Sequence, residues 1–137
     1  MSRMFLFDTS VWIDFLNNRS SPAVVLLEEV IFANMEVFLT PTILQEILQG
    51  IRDDAKYRRI KETLSYFHML DLPSVQAAEG AADLYRALRK KGATIRKSND
   101  CLIAYYAITY KMTLVHHDTD FDQIALHTEL KIWNFEP

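Results

Sequence analysis

The sequence predicts a three-layer α/β/α domain built on a mostly parallel central sheet. Short apolar runs alternate with longer stretches of helical periodicity, the order that β–α units on parallel strands produce. The first run, Met4–Phe7, is apolar without alternation, as a strand buried on both faces must be. Half of the 137 residues are hydrophobic, with only 3 Gly and 4 Pro, which supplies a sizeable core and excludes collagen-like, low-complexity and disordered chains. No internal repeat or Pro/Gly/Ser-rich linker divides the chain, so a single domain over residues 1–137 is expected.

After the strand Met4–Phe7, Ser10–Leu16 reads as a short helix. Ser21 and Pro22 have the N-cap and first-turn signature of a helix running to about Ala33. Val37–Leu39 is a second strand. The next helix opens at Thr40-Pro41-Thr42: Pro41 at the first helical position favours Thr40 as cap, and Gln45 in capping-box spacing favours Thr42. Gly50 stands where that helix breaks, and periodicity resumes over Asp54–Ser65. Phe67–Leu72 is a candidate strand. Ser74–Lys91 is a long helix stopped by Gly92, with Arg89, Lys90 and Lys91 at the negative end of its dipole. Ser98 or Asn99 caps a helix over Asp100–Tyr110 that is apolar nearly all round and therefore buried. Leu114–His116 is a strand, Phe121–Leu126 a short helix and Lys131–Trp133 a last strand. Sheets of this kind bind ligands in the crevice beyond the carboxyl ends of their strands.

A lone cysteine, Cys101, forms no internal disulfide, and no run of 18 apolar residues spans a membrane. Asp8 interrupts the N-terminal apolar run too early for a signal peptide. A soluble, cytoplasmic protein is expected. The net charge of −3, from 15 bases and 18 acids, argues on its face against a nucleic-acid partner. If four of the 18 are drawn into a metal site, however, the remaining 14 face 15 bases. Net charge leaves the question open.

The placement of the acids is more informative. Asp8 emerges at the carboxyl end of the first strand, where it either caps the next helix or meets a cation. Glu46 sits near the edge of the apolar face formed by positions 43, 47 and 50. Asp100 is the only charge between Lys97 and Lys111, and the first turn it occupies favours an anion. Asp118, Asp120 and Asp122 follow the strand at Leu114, without the glycine and terminal glutamate of an EF-hand loop. Each acid alone has an ordinary explanation, as a helix cap or a solvated side chain. Together they are better explained as one convergent cluster, and carboxylates without paired Cys or His suit Mg²⁺ or Mn²⁺. Such ions support phosphodiester hydrolysis. His116 and His117 offer zinc ligands, but neighbours on a strand point to opposite faces and no HExxH or CxxC accompanies them.

Four stretches then resemble, in order, the motifs of the PIN-domain endoribonucleases, and specifically of VapC-type toxins from toxin–antitoxin pairs. They are Phe7-Asp8-Thr9-Ser10-Val11-Trp12-Ile13-Asp14-Phe15-Leu16, Gln45-Glu46-Ile47-Leu48-Gln49-Gly50, Ser98-Asn99-Asp100-Cys101-Leu102-Ile103-Ala104 and His117-Asp118-Thr119-Asp120-Phe121-Asp122. The resemblance covers essentially the whole chain. It implies a PIN-like α/β/α fold, usually dimeric, that cleaves single-stranded RNA with Mg²⁺ or Mn²⁺. It also implies that Asp8, Glu46, Asp100 and Asp118 form the catalytic quartet. Asp8 and Asp100 would then be direct metal ligands, with Glu46, Asp118 and Asp120 completing the shell or holding water. Thr9 or Ser10 matches the hydroxyl that orients the first carboxylate or a metal-bound water. One departure is His116-His117, where many members carry Thr or Ser shortly before the fourth acid.

Basic residues fall in two groups, Arg52, Lys56, Arg58, Arg59 and Lys61, and Arg89, Lys90, Lys91, Arg96 and Lys97. Arg96 and Lys97, just before Asp100, are the better candidates for the RNA backbone; Trp12 reads as packing. The resemblance further implies a cognate small antitoxin, for whose amphipathic helix Val24, Leu27 and Ile51 are the candidate docking residues. Competing readings are a structure-selective DNA nuclease and a catalytically inactive binding module that keeps a structural ion.

Overall fold

The computed structural model describes residues 4–135. Residues 1–3, which open the N-terminal run weighed as a signal peptide, and 136–137, the end of the expected 1–137 span, lie outside the described residues. Strand β1 (Phe5–Phe7) leads into α1 (Thr9–Leu16) and α2 (Pro22–Phe32). Strand β2 (Phe38–Leu39) is followed by α3 (Pro41–Gln49) and α4 (Asp54–Leu64), and β3 (His68–Met69) by α5 (Ser74–Lys90) and α6 (Ser98–Thr109). Strand β4 (Thr113–Val115), helix α7 (Thr119–His127) and strand β5 (Lys131–Ile132) complete the described chain.

The strands form one sheet in the order β3-β2-β1-β4-β5, and each neighbouring pair is parallel. Right-handed crossovers put the helices of the β1-to-β3 path on one face and those of the β3-to-β5 path on the other. Most helix contacts follow that division, α1 packing on α2 and α3 and α6 on α5 and α7, while α3 and α6 also meet. The result is the expected α/β/α sandwich. The path reverses direction between β1 and β4, whose register pairs Phe7 with Val115. Side by side, these two strands end at the topological switch point, where sheets of this kind bind their ligands.

Several element ends differ from the sequence reading, each for a local reason. Met4 lies before β1, although its carbonyl accepts from Thr113 N at 2.9 Å, and β4 accordingly runs from Thr113 and stops before His116. Helix α1 starts at Thr9 because Asp8 is its cap. For α3 the cap is Thr40, whose buried Oγ1 accepts from Ile43 N at 3.2 Å. Neither Ser98 nor Asn99 caps α6: both are helical, after an extended Lys97 that contributes no side-chain cap. That start leaves Asp100 as the third helical residue. Helix α7 begins two residues before Phe121, because Asp118 accepts from Asp120 N and caps it. The strands expected at 37–39, 67–72 and 131–133 are shorter, since only two residues of each hold the ladder.

The core gathers β1, β2 and β4 between apolar helix faces, with Leu6, Leu39, Ile103, Leu114 and Phe121 fully buried. Trp12 is buried and meets Phe15 edge-on at 6.1 Å, as its reading as packing requires. The proposed docking residues Val24 and Leu27 are also core, at 3% and 0% exposure, so they cannot receive a partner helix. Ile51 is half-buried, in a groove of about 270 Å³ that it shares with Ile13, Leu16, Ile47, Arg52 and Lys56. Among the described residues, no helix is long and apolar enough to cross a membrane.

Candidate active site

Three of the four motif acids, Asp8, Asp100 and Asp118, stand at helix starts, and Glu46 lies in the second half of α3. Asp8 follows β1, and its backbone N–H extends the sheet by donating to Val115 O at 2.9 Å. As the α1 cap, Oδ2 accepts from Ser10 N at 3.1 Å and from Ser10 Oγ at 2.7 Å, while the residue is only 5% exposed. Burial pushes this carboxyl above its ordinary range; the Ser10 bonds oppose that shift, and the charge of Glu46 adds to it.

The hydroxyl pair after Asp8 divides its work. Ser10 holds Asp8, and its Oγ also accepts from His117 N at 3.2 Å, tying β1 to the loop after β4. Thr9 Oγ1 donates to Glu46 Oε1 at 2.7 Å, which fixes the α3 carboxylate beside the first motif. The sequence left open which hydroxyl served the first acid. In the structure it is Ser10, and Thr9 serves the second.

Asp100 is buried in the first turn of α6. Its carboxyl is pushed up to about 7, chiefly by burial and then by the charges of Asp8, Asp118 and Asp120, against a smaller opposing effect of Lys97. Its Oδ2 is buried with no hydrogen-bond partner. Carboxylate oxygens of Asp100, Asp118 and Asp120 all lie within 4.8 Å of one another. A buried acid with an unused oxygen, facing two more carboxylates, is unfavourable unless a cation answers it. The donor set is all oxygen, which fits a hard divalent ion.

Asp120 sits deeper in this cluster than a secondary position in the sequence suggested, while Asp122 lies outside it, exposed. Asp122 instead faces His116 Nε2 at 3.4 Å. His116 Nδ1 accepts from Asp118 N at 3.0 Å, so that nitrogen carries no proton, and burial lowers the pKa of the ring. His116 is therefore a neutral support for the Asp118 loop. The ring of His117 turns away, 3.3 Å from Ser21 Oγ and 3.5 Å from Asp14 Oδ2. Neither histidine joins the carboxylate cluster among the described residues.

Arg96 and Lys97 pair with two of the acids, although both side chains are largely exposed. Arg96 donates to Asp120 Oδ2 through its backbone N–H at 3.2 Å and through Nε at 3.4 Å, and Nη2 lies 3.6 Å from Asp118 Oδ1. Lys97 Nζ is 4.0 Å from Asp118 Oδ2. Sequence spacing flagged these two cations but gave no sign that they pair with the acids.

The chain matches the PIN domain model over residues 5–126. It is 34% identical over 133 residues to VapC ribonuclease Mb1587 of Mycobacterium bovis and to ribonuclease VapC11 of Mycobacterium tuberculosis, covering 96% of this chain and 99% of each relative. In fold it is similar to a chain of VapBC2 from Rickettsia felis, solved with a promoter DNA fragment, at a TM-score of 0.75 and 20% identity over 97% of this chain and 99% of that one. VapBC-1 of nontypeable Haemophilus influenzae gives a TM-score of 0.74 at 19% identity, covering 96% and 97%.

Proposed function

The chain belongs to the PIN-domain family and, within it, to the VapC ribonucleases, and we propose that it is a Mg²⁺- or Mn²⁺-dependent endoribonuclease, the toxin of a toxin–antitoxin pair. The observation that carries this reading is the buried, unpartnered Oδ2 of Asp100 beside Asp118 and Asp120. Asp8 and Asp100 would hold the ion directly. Glu46, Asp118 and Asp120 would complete its shell or orient water, with Thr9 and Ser10 fixing two of the carboxylates. Such an ion, when bound, polarises the phosphoryl oxygen and lowers the pKa of an attacking water.

The remaining features fit the same proposal. A phosphodiester strand would lie at the ends of β1 and β4, where Arg96 and Lys97 flank the acids with positive charge. Residues 1–137 act as one PIN domain in the cytoplasm, as a homodimer held inactive by a small antitoxin. The likeness in fold to the VapBC structures supports a partner of that kind.

The experiment incubates the purified protein with labelled RNA and DNA oligonucleotides of the same sequence, in Mg²⁺, Mn²⁺ or EDTA. In parallel, the chain is expressed with and without a small protein encoded beside it. Cutting of RNA alone, together with growth arrest relieved by the neighbour, is the expected result. Cutting of DNA, or growth untouched by the chain expressed alone, contradicts the proposal.

A further inference from the structure

The acidic crevice has two electrostatically unequal halves. On one side, Asp8 and Asp100 are each 5% exposed, and no Arg or Lys lies within ion-pair distance of either among the described residues. On the other, Asp118 and Asp120 already share Arg96 and Lys97. The Arg96 side chain is 70% exposed, so its guanidinium reaches the acids from the solvent side and is free to leave.

From this asymmetry we propose that Arg96 is a resident counter-cation, competing with the divalent ion for Asp118 and Asp120 and passing to a substrate phosphate when that ion displaces it. The inference rests on the metal-dependent reading above. Its physical basis is the double tether of Asp120. When the guanidinium departs, the Arg96 backbone N–H still holds Asp120 Oδ2 at 3.2 Å, so the carboxylate keeps its orientation. The displaced side chain is planar, permanently charged and forked, the geometry that matches a phosphate. One side chain thereby neutralises the empty crevice and engages the strand once the crevice is loaded.

The test measures Mn²⁺ affinity by calorimetry for the wild-type protein, Arg96→Gln and Arg96→Lys, and then KM for a single-stranded RNA oligonucleotide at saturating Mn²⁺ over a range of salt. Arg96→Gln removes the competitor and keeps the backbone tether, so Mn²⁺ binding tightens by about twofold to fivefold, the span of exposed ion pairs. The same variant raises KM and lowers the salt slope by about one. Arg96→Lys keeps the charge without the fork and falls between the two. Opposite signs on metal and RNA are the signature of the exchange; a merely structural arginine weakens both. Unchanged or weaker Mn²⁺ binding by Arg96→Gln overturns the competition, and an unchanged KM overturns the transfer to phosphate. Failure of every protein to bind Mn²⁺ overturns this inference together with the reading it rests on.

Discussion

Thr9 donates its hydroxyl to Glu46 across 37 residues of chain, at 2.7 Å, and so joins the first motif to the second. Each partner rides on a helix whose start the sequence sets locally: Thr9 opens α1 behind the Asp8 cap, and Glu46 is carried by α3 behind the Thr40 cap. The bond turns two separate caps into one arrangement of carboxylates.

Thr9→Val keeps the shape of this buried side chain and deletes the donor. We expect Mn²⁺ affinity to fall by about 10- to 100-fold, the usual cost of losing a group that orients a ligand. Thr9→Ser, which keeps the hydroxyl, should recover most of it. Calorimetry on the two variants checks this, and a valine variant that binds Mn²⁺ like the wild type removes Glu46 from the metal shell.

The second prediction follows from Asp100, whose carboxyl is raised to about 7 against 3.8 when unfolded. A raised carboxyl binds its proton more tightly in the folded state, so its stabilising contribution is complete below about pH 4 and is lost as pH rises through 7. In EDTA, the wild-type melting temperature should therefore fall between pH 5 and 8. Asp100→Asn should show a shallower fall and melt at or above the wild type at pH 8, because repulsion among the acids is relieved. Mn²⁺ at pH 8 should raise the melting temperature of the wild type far more than that of the variant. A variant that melts well below the wild type at pH 8 in EDTA contradicts the proposed strain.

Gly80 supplies a third. A Cβ at this position of α5 would overlap the ring of Tyr105 on α6, which also accepts from Gln76 Nε2 at 3.3 Å. Alanine for glycine inside a helix ordinarily gains about 1 kcal/mol. Here Gly80→Ala should instead cost about 1–3 kcal/mol by overpacking. In a Tyr105→Ala background the same change should stabilise. Denaturant melts of the four proteins in the cycle decide it, and equal effects in both backgrounds would show that the Tyr105 ring does not constrain position 80.

What the sequence disclosed and what it hid divide along local and long-range lines. Asp8, Asp100 and Asp118 were legible because each follows a strand end or sits in a first helical turn that nearby residues define, and Glu46 because it borders an apolar helix face. The Thr9–Glu46 bond and the Arg96 pairing with Asp118 and Asp120 were not, since they join residues through the fold. Helix α2 conceals its inward face for another reason. Its segment Val24-Val25-Leu26-Leu27 is apolar on every side, so periodicity could not say that Val24 and Leu27 face inward while Val25 stays 44% exposed. The end of β4 was set one residue late because His116 continues the apolar pattern only as a ring packed on Phe121 at 5.2 Å.

The central claim is that a divalent ion held by these carboxylates cuts RNA. Its most direct test is the rate of cleavage of a labelled single-stranded RNA as Mn²⁺ is titrated, for the wild-type protein and for Asp100→Asn. The wild-type rate should rise to a plateau and vanish in EDTA. The variant should stay more than about 100-fold below it at every concentration, since losing a ligand must cost more than losing a group that only orients one. Undiminished cleavage in EDTA, or a wild-type rate from Asp100→Asn, would contradict the account.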